Sequence, residues 1–155
     1  MESLWLFRNF KLAAERGDGD GVFYLGYYTL ETAAKAEEHK IKLQKYLEAA
    51  ELFRESINKD PDNPDPFFYL GFLFEYGNKR NFFYLLGMGV ERDYKTSYKY
   101  FEKAGNLKSG KALTKQATFL IKGIGVENPD VEGAVALFEK AGEFGDEEAY
   151  NHLGY

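Results

Sequence analysis

Phe101-Glu102-Lys103-Ala104-Gly105 recurs unchanged as Phe138-Glu139-Lys140-Ala141-Gly142, 37 residues further along the chain. The surroundings correspond as well. Gly87-Met88-Gly89-Val90 precedes the first copy and Gly123-Ile124-Gly125-Val126 the second, while Asp93 matches Asp130, Tyr98 matches Val135, Tyr100 matches Leu137 and Ala112 matches Ala149. A period between about 20 and 50 residues marks stacked supersecondary units, each too small to bury its own apolar face. The rest of the chain reads as further, more eroded copies.

Around these copies the apolar residues fall at helical spacing. Asp93 caps a helix to about Ala104, with Tyr94, Ser97, Tyr98, Phe101 and Ala104 on one side. A second helix covers Lys111 to Lys122, and Gly123 to Pro129 reverses the chain. Asp130 opens a helix to Ala141, and another begins at Asp146. The two glycines of the reversal permit positive φ and a close turn between antiparallel helices. A phosphate-cradling loop would instead follow a strand and carry a Lys-Ser/Thr signature, and neither is present.

Toward the N-terminus, Leu4 to Arg16 carries a helical apolar stripe closed by Gly17, where a C-terminal cap belongs. Asp18-Gly19-Asp20-Gly21 is a tight connection, and Asp18 or Asp20 caps the helix from Val22. A calcium loop would need an oxygen ligand where Val22 stands and a closing Glu, so those two acids read as turn and cap. Between Glu31 and Lys59 no Gly or Pro intervenes, and a reversal near His39 divides the stretch into two helices. The second, about Ile41 to Asn58, aligns Leu43, Tyr46, Leu47, Ala50, Phe53 and Ile57. Pro61, Pro64 and Pro66 end it, and Pro66 suits the first turn of the next helix. That helix repeats the Phe-Tyr-Leu-Gly of residues 23–26 at 68–71. Residues 78–86, with Phe82, Phe83, Tyr84, Leu85 and Leu86, are an insertion that either lengthens the helix or projects as an apolar loop.

The composition bounds the function. The 155 residues suit one domain, 1–155, and a net charge of −5 argues against a general phosphate-backbone binder. No cysteine is present, which removes disulfides, thiolate metal sites and a cysteine nucleophile. No stretch is apolar enough for a transmembrane helix, and the start lacks the basic region of a signal peptide, so a cytoplasmic setting is expected. His39 and His152 lie far apart in sequence, and the carboxylates fall at caps and on solvated faces, so no catalytic or metal site and no cofactor is expected. The chain stops inside what reads as the first helix of a unit, which suggests a piece of a longer solenoid.

Three signatures coincide. They are Gly-x-Gly-Val between paired helices, Ala13-Ala14-Glu15-Arg16-Gly17-Asp18, and Leu-Gly within first helices at Leu25-Gly26, Leu70-Gly71 and Leu153-Gly154. Together they resemble the Sel-one-like repeat, a relative of the tetratricopeptide repeat, and Tyr46 to Gly71 is closer to the tetratricopeptide pattern. Gln116-Ala117 departs from Leu-Gly, and the first unit lacks the glycine loop. The resemblance implies an all-α superhelical solenoid of about four helix-turn-helix repeats, with seven to eight antiparallel helices and the first helix of each pair lining the concave side.

If the Leu-Gly registers transfer, Phe23, Tyr27, Phe68, Phe72, Thr114, Thr118 and Asn151 face that groove, with Glu75, Tyr76 and Lys122 further along. Such a groove suits an extended or helical peptide with apolar anchors. The resemblance thus implies a non-catalytic protein-interaction adaptor. A structural subunit of a larger assembly is the alternative, and Phe82, Phe83 and Tyr84 form a second candidate surface.

Overall fold

The computed structural model describes residues 2–76 and 92–154, with side chains from Trp5 onward. Among the described residues there are eight α-helices and no strand: α1 (Glu2–Glu15), α2 (Gly19–Lys35), α3 (His39–Lys59), α4 (Pro64–Tyr76), α5 (Tyr94–Asn106), α6 (Gly110–Lys122), α7 (Val131–Glu143) and α8 (Glu147–Leu153). They fall into two compact units, one built on α1–α3 and the other on α4–α8. The expected reversal lies at residues 36–38, with His39 opening α3.

In the first unit, Asp18 is the cap of α2, its side chain accepting from the Asp20 N–H at 3.1 Å. Gly17, at φ +85°, supplies the left-handed residue that ends α1. The core between α2 and α3 is built on Phe53, fully buried, with its ring 5.9 Å from that of Phe23. Gly26 faces it, and a Cβ there would meet the Phe53 ring edge at 3.0 Å. Ser56, also buried, donates from its hydroxyl to the Gly19 carbonyl at 3.0 Å. On α1, Phe7 and Phe10 lie against Tyr28 and Tyr24 of α2, while Trp5 stands 66% exposed.

In the second unit the same logic recurs more tightly. Phe101 on α5 is fully buried between Phe68 of α4 and Phe119 of α6, at 5.7 Å from each ring. Gly71 lets α4 approach, since a Cβ would fall 2.7 Å from the Phe101 ring. Ser97 fastens that approach by donating to the Gly71 carbonyl at 2.7 Å. Its pentapeptide counterpart Phe138 centres a cluster of Leu113, Ala117, Ala134, Ala141 and Ala149, with Leu120, Leu137 and Leu153 at the edge. Asp93 and Asp130 cap α5 and α7 as their shared register predicts, accepting from Lys95 and Thr96 N–H groups and from the Gly133 N–H respectively. Between α6 and α7, Gly123 and Gly125 take φ +62° and +72°, the conformation their pairing anticipates.

Candidate functional site

The residues anticipated for a binding groove separate into three groups. Phe23 and Thr114 are buried, each about 5% exposed, so they belong to the packing between helices and offer no open surface. Phe23 lies against Tyr24, Tyr27 and Phe53. The Thr114 hydroxyl donates to the carboxylate of Asp146, the N-cap of α8. The Leu-Gly register identifies the helix but not which of its sides a neighbour covers, and at these two positions a neighbour does.

The second group is half-buried: Tyr27 on α2, Phe68, Phe72 and Glu75 on α4, and Thr118 on α6. The Tyr27 hydroxyl donates to Glu31 at 3.0 Å, and this bond, aided by burial and the Glu31 charge, raises the phenol above its ordinary pKa. Phe68 stands edge-on to Tyr69 and tilts over Phe101. Thr118 donates its hydroxyl back to the Thr114 carbonyl at 2.9 Å, a local bond within α6. The third group, Tyr76, Lys122 and Asn151, is exposed. Phe82, Phe83 and Tyr84, and with them Gly87, Gly89 and Val90, lie outside the described residues.

One contact in the second unit joins first helices of successive pairs. Lys115 on α6 donates to both carboxylate oxygens of Glu75 on α4, at 3.0 and 3.3 Å, with the two side chains 29% and 16% exposed. Partial burial screens this pair less than an exposed one, and charge assistance strengthens both hydrogen bonds. Sequence reading singled out Glu75 but missed Lys115, because their separation of 40 residues follows no short spacing.

Among the described residues no three metal-ligating side chains cluster, and no helix is long and apolar enough to cross a membrane. Asp93 is held below its ordinary pKa, first by the Thr96 hydroxyl and then by backbone N–H groups. That is the work of a helix cap.

Helix pairs in this order and register define an all-α helical-repeat protein, and solved structures specify the kind. The fold is that of Sel1 repeat proteins. A Sel1 repeat protein from Oxalobacter formigenes matches with a TM-score of 0.71 at 23% identity, over 96% of this chain and 52% of its own. This chain therefore spans about half the length of that protein. The cysteine rich protein B of Helicobacter pylori matches at 0.61 with 19% identity, over 94% of this chain and 95% of its own. The protein c5321, a protective antigen present in uropathogenic Escherichia coli strains with an SLR fold, matches at 0.58 with 18% identity, over 96% of this chain and 35% of its own. No family model and no curated protein matches the sequence.

Proposed function

We propose that this chain is a non-catalytic interaction scaffold, whose α4 and α6 surface receives a peptide segment of a protein partner. The observation that carries the reading is the Glu75–Lys115 pair beside half-buried Phe72 and Thr118, with Lys122 exposed further along α6. The pair links α4 to α6, so apolar and charged groups stand on a surface joined across two helices, and preorganisation lowers the entropic cost of association. The likeness in fold to Sel1 repeat structures supports the same class, since stacked repeats distribute recognition along many equivalent positions.

Phage-displayed peptides selected against the folded chain test it. The expected peptides carry apolar anchors, and Phe72→Ser or Lys122→Glu weakens them about tenfold or more, a loss of about 1.4 kcal/mol. Selected peptides indifferent to both substitutions would remove this surface from consideration.

A further inference from the structure

Lys95, Lys99 and Lys103 form an exposed stripe at i, i+4 and i+8 along α5. The pentapeptide register supplies an internal control for it. At the matching positions α7 carries Glu132, Ala136 and Lys140, on a helix with the same cap type, length and buried Phe. The fold thus accepts an acid and an alanine there, and helix packing does not ask for the two additional lysines.

The stripe borders an open depression of about 210 Å3, lined by Thr96, Lys99, Tyr100 and Lys103. Its aromatic wall is held in place, because Tyr100 stacks on Phe74 at 5.6 Å and 11° between planes. The Lys103 ammonium lies over the Phe67 and Tyr100 rings at 5.8 and 6.0 Å, so cation–π attraction holds this charge beside the aromatic wall. Of the nearby acids, Asp93 caps α5 and its charge also interacts with Lys95. Glu102 acts on Tyr98, whose phenol is raised first by burial and then by that charge. Three ammonium groups against the Asp93 and Glu102 carboxylates leave the stripe net positive beside the Tyr100 wall, on a chain whose net charge is −5.

We infer that the α5 stripe and notch form a second docking surface, distinct from the one on α4 and α6, for a short acidic peptide segment of a protein partner with an apolar residue among its carboxylates. The dimensions set its length. Eight helical residues rise about 12 Å, the reach of about four residues of extended peptide at about 3.3 Å each. A long polyanion is the poorer fit, because binding it draws on many cationic contacts and the chain as a whole repels it.

Fluorescence anisotropy with a labelled Glu-Glu-Leu-Glu-Glu-Leu hexapeptide tests the inference, alongside a Lys-Lys-Leu-Lys-Lys-Leu peptide and a labelled oligouridylate. The double variant Lys95→Glu/Lys99→Ala reproduces the α7 residues and is expected to keep the native circular-dichroism melt. It is expected to weaken the acidic hexapeptide at least tenfold, while Lys140→Ala leaves it unchanged and added salt weakens the native chain. Tyr100→Ala is expected to weaken the hexapeptide but not a Glu-Glu-Gly-Glu-Glu-Gly control. Failure of the acidic hexapeptide to bind, or binding indifferent to the double variant, overturns the inference. Tighter binding of the oligouridylate, lost in the same variant, replaces it with a nucleic-acid surface. Phe72→Ser leaves this binding intact, so its outcome is independent of the α4 and α6 surface.

Discussion

Gly71 and Gly142 show how a single hydrogen atom in place of a methyl is used twice to different effect. At Gly71 an added Cβ would fall 2.7 and 2.8 Å from ring atoms of Phe101, which is fully buried and has nowhere to go. Gly71→Ala is therefore expected to destabilise by about 1–3 kcal/mol, the usual range for overpacking, despite the better helix propensity of alanine. At Gly142 the Cβ would meet only the far end of the Tyr150 side chain, a ring that is 44% exposed and not enclosed in the core. Gly142→Ala is expected to be near neutral, and urea midpoints of the two variants compare them directly. Ala14 already occupies the matching position in the first unit, within Ala13-Ala14-Glu15-Arg16-Gly17. Asp93 offers a second check. Its folded pKa is depressed, so its contribution is complete above the pKa of the unfolded chain and disappears as pH falls through the folded value. Asp93→Ala is expected to lose about 1 kcal/mol near neutrality, and the deficit should shrink in acid well below the ordinary carboxylate range.

Among the elements, the glycine loop between α6 and α7 is the sharpest determinant. Gly125 has φ +72°, and a Cβ there would collide with the Tyr94 carbonyl oxygen. Strain and collision act together, so Gly125→Ala is expected to cost more than Gly71→Ala, read as a larger fall in melting temperature. The caps, the reversal before His39 and the glycine turn between α6 and α7 were legible in the sequence, because each depends on residues near one another in the chain. Pro64 opens α4 and Pro66 stands in its first turn, where the proline pattern puts it. What the sequence did not disclose was the sidedness of the first helices. Phe23 and Thr114 read as groove residues by register, yet each is claimed by a neighbour: Phe53 in one case, Asp146 in the other. The Glu75–Lys115 pair was hidden for the same reason, since only packing of α4 beside α6 brings its ends together.

Taken whole, the molecule reaches a Sel1 repeat fold without a single cysteine, whereas one of its structural relatives is described as cysteine rich. Aromatic rings seated on glycines carry the packing, Phe53 over Gly26 and Phe101 over Gly71. Repeats of this kind touch only their neighbours, so damage is expected to stay local. Phe53→Ala and Phe138→Ala each remove a buried ring, at about 3–5 kcal/mol apiece. Hydrogen exchange should show protection lost within α1–α3 for the first and within α6–α8 for the second. Equal loss everywhere in both variants would contradict the neighbour-only picture.

The lone Trp5, standing 66% exposed on α1, fixes what an optical experiment can see. Indole emission follows the opening helix and is silent about α4 to α8, where the ultraviolet chromophores are tyrosine and phenylalanine. A melt followed at tryptophan wavelengths would miss unfolding of the pentapeptide repeats, and tyrosine absorbance or an indole introduced beside Phe119 would supply the missing signal.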